Sequence, residues 1–358
     1  MGQLSLFGAG EHKADLIDAS FPTTRYQGSK RKLLGWLWKS LSHLPFDTAL
    51  DVFGGTGSVS YLFKRAGKHV TYNDALKFNW NTGLALIQNS NTRLEITDIE
   101  RILGTLQGQS YPNFIQTMFP DIYFTAEENA WLDRVIFNIG TCLTDPYKRA
   151  LALYALFQAC IIKRPYNLFH RANLYMRTAQ VDRSFGNKTT WDTPFEAHFR
   201  TFVNEANRAI FDNGRPNSAT CLDALETPQG HDLVYLDPPY LNKKGMGVDY
   251  RDFYHFLEGI MMYETWSEQI DLRSRHKRLH PQASPWLQPS SIHAVFEALI
   301  ARHQESIIVI SYRDDGIPDV SQLRAMLAKY KSHVTEARLS QQYALSPSRS
   351  HEVLLIGQ

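Results

Sequence analysis

An open α/β fold, its parallel sheet interrupted by a mainly helical insertion, is what this sequence predicts, and three observations carry that prediction. An apolar run ending in a glycine turn opens a strand–helix–strand unit between Phe46 and Asp74. Strand-like runs return at residues 231–236, 306–311 and 332–339, so sheet signals lie at both ends of the chain. Between them, residues 97–160 carry the period of several amphipathic helices.

Taken in order, residues 8–20 show no sustained period, and 1–20 read as a tail with folding starting near Thr24. After the apolar run ending at Phe53, Gly54-Gly55-Thr56-Gly57 turns the chain into a helical pattern from Ser58 to Ala66, closed by Gly67. The run from Lys68 to Tyr72 is the second strand. Helical patterns follow at residues 126–139 and 147–162, whereas 163–215 is rich in aromatic and basic residues and weakly periodic. A last helix is expected near residues 320–329. The reading is a catalytic domain formed by 21–90 and 216–358, with 91–215 inserted into it.

Composition excludes several classes. Thirty-eight Lys and Arg stand against 36 Asp and Glu, a net +2, so a polyanionic partner must be held by clustered charge. No apolar stretch approaches the roughly 18–20 residues that span a bilayer, and no basic segment followed by an apolar core opens the chain. Cys142, Cys160 and Cys221 are too dispersed for a disulfide framework or a zinc pair, and the 13 His show no metal spacing. A reduced cytoplasm and no metal are expected.

Two motifs carry chemistry. Asp51-Val52-Phe53-Gly54-Gly55-Thr56-Gly57 lets backbone approach a ligand at a helix N-terminus. A dinucleotide fingerprint would need glycine where Ser60 stands, and Asp51 would sit awkwardly beside a pyrophosphate, so a nicotinamide dehydrogenase is disfavoured. An amine-bearing nucleoside fits better, with Asp74 placed to accept both ribose hydroxyls. Asp237-Pro238-Pro239-Tyr240 follows the apolar run Leu233–Leu236. It sets a carboxylate, a proline carbonyl and an aromatic ring at the C-terminal edge of a strand, an arrangement suited to an exocyclic amino group on a planar base.

These elements, in this order, resemble the class alpha, Dam-like DNA adenine methyltransferases over nearly the whole chain from Thr24 to Gly357. Arg25-Tyr26-Gln27-Gly28-Ser29-Lys30 is similar to that family's N-terminal cofactor motif, and Asn73-Asp74 to its ribose motif. Tyr343-Ala344-Leu345 and residues 351–356 resemble its closing hairpin. The resemblance implies a Rossmann-like S-adenosylmethionine-dependent methyltransferase sheet with an inserted target-recognition domain. It implies Tyr26 and Lys30 at the methionine end of the cofactor, Asp51, Phe53, Gly54, Gly55 and Gly57 around it, Asp74 on the ribose and Asp223 on the adenine. Asp237, Pro238, Pro239 and Tyr240 are implied to be catalytic, acting without a covalent intermediate on an adenine flipped out of double-stranded DNA.

From Cys160 to Thr190, Lys163, Arg164, Arg171, Arg177, Arg183 and Lys188 face the single acid Asp182, a local +5, interleaved with Tyr166, Phe169, Tyr175 and Phe185. This is a candidate DNA surface. A second cluster contains Arg273 and Arg275, in a segment from about 242 to 290 that reads either as a grip on the strand or as a lid. Gln3-Leu4-Ser5-Leu6-Phe7 resembles the peptide with which bacterial replication proteins bind the sliding clamp, with Gln3, Leu4, Leu6 and Phe7 as the contacts. A cognate restriction endonuclease is a further expected partner, and a bacterial or phage-infected cell the setting. A ribosomal RNA base methyltransferase and a non-catalytic sequence-specific DNA-binding protein are the alternatives.

Overall fold

The computed structural model describes residues 21–179, 188–341 and 350–358. Gln3, Leu4, Leu6, Phe7, Arg183 and the Tyr343–Leu345 part of the expected closing hairpin lie outside the described residues. The strands are β1 (Thr48–Asp51), β2 (His69–Asn73), β3 (Ser218–Thr220), β4 (Leu233–Leu236), β5 (Leu241–Asn242), β6 (Ile307–Arg313), β7 (Gly316–Ile317), β8 (Val334–Gln341) and β9 (Ser350–Gly357). Seven make one sheet in the order β3-β2-β1-β4-β6-β9-β8, and β5 pairs with β7 in a small ribbon. The first five of that order are parallel; β9 runs antiparallel to β6 and to β8. This is the expected Rossmann-like sheet.

Residue type explains the layering. The central strand β4, Leu-Val-Tyr-Leu, is buried at all four positions, as a parallel strand covered on both faces must be. Alternate residues feed opposite faces: Ala49 and Tyr235 join one hydrophobic cluster, Leu50, Val234 and Leu236 the other. Helices Ile292–Arg302 and Val320–Ala328 cover the second face. The first face is covered by helix Ser58–Arg65 and by the long connection from β2 to β3.

Among its described residues, the regular elements of that connection are helical. Helix Ala126–Cys142 starts at a reciprocal capping box of Thr125 and Glu128, and Pro146–Ile162 starts at Asp145 with proline in its first turn. Helix Phe195–Ala209 was not foreseen in the weakly periodic stretch, yet Phe195, Phe199, Phe202, Val203 and Ala206 line its buried face. Leu151, Phe157 and Phe199 share one cluster with Ala49 and Val70, so the expected insertion and the sheet have a common core. Within the segment 242–290, Tyr254, Phe256, Leu257 and Trp266 are buried in that cluster as well.

The sheet order reverses between β1 and β4, since the chain leaves β1 toward β2 on one side and β4 toward β6 on the other. The loops after these strands therefore diverge and open a crevice at the C-terminal edge, where such sheets bind ligands.

Candidate active site

A cavity of about 780 Å³ occupies the crevice. Its lining includes Tyr26, Lys30, Asp51, Phe53, Gly54, Gly55, Asp74, Asp223 and the run Asp237–Tyr240, which lie far apart in sequence and were expected together. Gly57 lies outside the lining, at the N-cap of helix Ser58–Arg65 with φ +75°. Gly54 is required by contact: a Cβ there would meet the Tyr72 ring at 2.1 Å. Gly55 is required by conformation, φ being +49°.

Asp74 is held by three donors, the Gly55 N–H at 2.9 Å, the Leu76 N–H at 2.9 Å and Asn79 Nδ2 at 3.1 Å. Burial pushes its pKa up to about 6 against the pull of those donors. Asn79, on helix Lys77–Gly83, was not anticipated; it also reaches the Tyr26 hydroxyl at 3.3 Å. Asp51 accepts from the Ser60 hydroxyl at 2.7 Å through Oδ2, while its buried Oδ1 has no hydrogen-bond partner. Burial pushes Asp51 up to about 7, Ser60 opposing and the charges of Asp237 and Asp74 adding. Ser60, where the dinucleotide fingerprint would have glycine, thus anchors the acid that would face a ligand amine.

At the end of β4, Asp237 Oδ1 lies 3.2 Å from the Lys30 ammonium, which also lies 3.1 Å from Glu352 Oε2. Burial pushes Asp237 up to about 6, with Lys30 pulling it down and Glu352 adding to the rise. Tyr240 is half-buried, edge-on to Tyr312 at 5.6 Å, with the Arg313 guanidinium 5.4 Å from its ring. Tyr26 is stacked on Tyr254 at 4.6 Å and on Tyr250 at 5.5 Å, both rings nearly parallel to it. Glu352, Tyr250 and Tyr254 were missed in the sequence. The two tyrosines sit four residues apart, and Glu352 directly precedes the apolar run Val353–Ile356, which are the signals they left. Asp223 accepts from the Leu225 N–H and caps a short turn at the cavity edge. Phe53 packs edge-on against Trp286.

The basic surface needs correction. Lys163, Arg164 and Arg177 are only 2%, 1% and 9% exposed, and they are internal ties rather than phosphate contacts. Lys163 reaches Glu128 at 2.8 Å and the carbonyls of Trp191 and Thr193, and Arg177 grips both oxygens of Glu128 at 2.7 and 2.9 Å. Arg164 donates to the carbonyls of Tyr123, Leu168 and Arg171 and to Asn173. These heads stay buried because a guanidinium fork or a three-donor ammonium can satisfy several buried acceptors at once. Arg171, Lys188, Arg273 and Arg275 are exposed, Lys188 pairing with Asp192 at 2.8 Å.

A Rossmann-like sheet with an acid-flanked glycine turn after β1 and Asp-Pro-Pro-Tyr after β4 defines an enzyme that modifies an amino group on a planar base, using a nucleoside cofactor. The chain belongs to the D12 class N6 adenine-specific DNA methyltransferases, whose family model matches residues 26–326. It is 30% identical to the type II methyltransferase M2.HphI of Haemophilus parahaemolyticus over 88% of this chain and 90% of that protein. It is 25% identical to M.NlaIII of Neisseria lactamica over 85% and 88%. It is 23% identical to M.FokI of Planomicrobium okeanokoites over 86% of this chain and 47% of that one. The protein is thus a site-specific DNA adenine methyltransferase, and the RNA and non-catalytic alternatives are set aside.

Membership implies S-adenosylmethionine as methyl donor. The residues fit it: the unpartnered Asp51 Oδ1 is a buried acceptor suited to an ammonium, and Gly54 leaves backbone exposed where any side chain would collide with Tyr72. Among the described residues no group of three or more His, Cys, Asp or Glu could hold a metal, and no helix is long and apolar enough to cross a membrane.

Proposed function

We propose that the enzyme is of the Dam-like class alpha and methylates N6 of an adenine flipped out of duplex DNA, with Asp237 and the Pro238 carbonyl as acceptors for the amino hydrogens. The observation that carries this reading is the placement of Asp237, Pro238 and Tyr240 on the wall of the cavity that also holds Asp51 and Asp74. S-adenosylmethionine, when bound, supplies an electrophilic methyl. Tyr26, Asp51, Phe53, Gly54, Gly55, Asp74 and Asp223 would hold it, Gly57 shaping the turn, while Lys30, expected at its methionine end, lines the same cavity with its ammonium against Asp237 and Glu352.

The chain's own residues account for the rest. An ionised Asp237 accepts one amino hydrogen and the proline carbonyl, which has no N–H beside it to compete, accepts the other. Both hydrogens held in this way leave the nitrogen lone pair directed along the third axis. The amino nitrogen is not deprotonated in advance; its proton leaves after transfer, with Asp237, on the cavity wall, as the acceptor. A duplex adenine reaches this depth only by extrusion, which costs a few kcal/mol, and the Tyr240 ring offers a stacking face that offsets part of it.

Residues 91–215 are proposed to carry target recognition, with Arg171, Lys188, Arg273 and Arg275 as phosphate contacts supported by their exposure. Recruitment to the sliding clamp through Gln3, Leu4, Leu6 and Phe7, partnership with a cognate restriction endonuclease and a cytoplasmic setting belong to the same proposal. The type II naming of the relatives supports the endonuclease partnership. Asp237→Ala tests the core of it: methyl transfer should vanish while cofactor affinity stays within a few-fold, and wild-type turnover would refute the assigned role.

A further inference from the structure

A glutamate buried at the head of an apolar run is costly, and the site shows a task for it. Glu352 is 1% exposed in the run Glu-Val-Leu-Leu-Ile of β9, paired in register with Arg313 on β6 and Leu339 on β8. An ionised carboxylate there is tolerated only if a cation meets it. Lys30, 6% exposed at the start of the turn Lys30–Leu33, lies 3.1 Å from Glu352 and 3.2 Å from Asp237. Lys30 and Asp237 line the cavity, and Glu352 does not. The ammonium is therefore a bridge between a carboxylate behind the site and the carboxylate in it.

We propose that Glu352 is a positioning residue for methyl transfer, which fixes Lys30 and through it orients Asp237 for the target amine. An ammonium has three N–H donors on a flexible stem. With one drawn to Glu352, Lys30 has a single location from which to hold Asp237 Oδ1, and the second oxygen, Oδ2, is left for the adenine. Glu352 also offsets the lysine's charge, so the ammonium holds Asp237 in place without pulling its pKa down as far as a one-to-one pair would. The inference rests on the proposed role of Asp237 as amine acceptor.

The electrostatics agree in sign. Burial alone would lower the Lys30 pKa, but Asp237 and Glu352 more than offset it and hold the ammonium well above its usual value. For Asp237, Lys30 pulls down and Glu352 pushes up. The other groups facing this cluster are Asp51 at the end of β1, Tyr235 and Tyr240 on β4 and its loop, and Tyr250 beyond it, with Arg313 of β6 over the Tyr240 ring. Removing the Glu352 charge leaves Lys30 acting on Asp237 alone, so the acid limb of the kcat profile should move to lower pH.

The test is a kinetic cycle on the full-length enzyme with duplex DNA and S-adenosylmethionine, using Glu352→Gln, Lys30→Met, their combination and Asp237→Asn. The expected result for Glu352→Gln is a fall in kcat on the order of 10- to 100-fold, with cofactor Kd and DNA KM within about twofold and the acid limb displaced downward. Adding Glu352→Gln to Lys30→Met should cost nothing further, because the route through Lys30 is already cut. Wild-type kcat and acid limb in Glu352→Gln, or losses that multiply in the double variant, would overturn the inference. If Glu352→Gln fails to fold, the apolar pair Lys30→Met with Glu352→Leu replaces it and must match Lys30→Met alone in kcat; a further loss in folded protein overturns the inference equally. Asp237→Asn separates the levels: wild-type activity there would remove the premise, whereas an inactive Asp237→Asn beside an unaffected Glu352→Gln would remove only the role of Glu352.

Discussion

Replacing Arg164 with Met distinguishes an internal tie from a DNA contact. The guanidinium donates to Leu168 O at 3.2 Å, Tyr123 O at 3.1 Å, Arg171 O at 3.0 Å and Asn173, and sits 4.4 Å from the Tyr123 ring centre. Met keeps most of the apolar contact but leaves three acceptors without their donor, the Tyr123 carbonyl retaining Arg177 Nη1 at 3.3 Å. Hydrogen bonds to a charged group contribute about 1.5–3 kcal/mol each and are not additive, so losing several at once should cost about 3–5 kcal/mol. At about 2.1 cal/mol/K per residue, the 358-residue chain unfolds with an entropy of about 0.75 kcal/mol/K, so Tm should drop by about 4–7 °C. Calorimetry gives Tm, and DNA binding across a salt series well below the transition gives the number of phosphate contacts. A lost phosphate contact lowers the slope of log K against log salt by about 0.9. Arg164→Met should leave that slope unchanged, whereas Arg171→Ala, on an exposed side chain, should lower it by about one contact with little change in Tm. A wild-type Tm for Arg164→Met together with a reduced slope would refute the structural role.

Gly54→Ala should weaken cofactor binding by roughly tenfold or more, since the new Cβ lies 2.1–2.5 Å from three atoms of the buried Tyr72 ring; an unchanged Kd by calorimetry would contradict this. In the unfolded chain Asp51, Asp74 and Asp237 ionise near pH 4, but in the fold burial raises them to about 7, 6 and 6, so the folded state holds extra protons and loses stability as pH rises from about 4 to about 7. A bound cation favours the ionised forms, so cofactor Kd should tighten over the upper part of that range with measurable proton release; a flat Kd would count against it. Leu6→Ala with Phe7→Ala should abolish capture by a bacterial sliding clamp without changing turnover on short duplexes, and unchanged capture would remove clamp recruitment.

What was legible in the sequence was whatever is local. The glycine turn, Asp74 and the Asp237–Tyr240 run announce themselves because backbone freedom, fixed φ angles and a strand end are written into a few adjacent residues. Tyr250 and Tyr254 were hidden because their stacking on Tyr26 joins residues more than 220 positions apart. Glu352 was hidden because the use of a buried charge depends on its partner, which is Lys30 at the other end of the chain. The basic stretch misled for the same reason: Lys163, Arg164 and Arg177 read as a charged face, yet Glu128 and the carbonyls around Tyr123 draw them inward. Helix Phe195–Ala209 was readable in principle, since Phe195, Phe199, Phe202 and Ala206 repeat at helical spacing, but the polar and aromatic residues between them masked the period.

The most direct measurement is nucleoside mass spectrometry, with methylation-sensitive sequencing, of mixed-sequence duplex DNA after incubation with the protein, labelled S-adenosylmethionine and a chelator. The account predicts label in N6-methyladenine alone, confined to one short sequence. Label on another base, or none on duplex DNA, would contradict it.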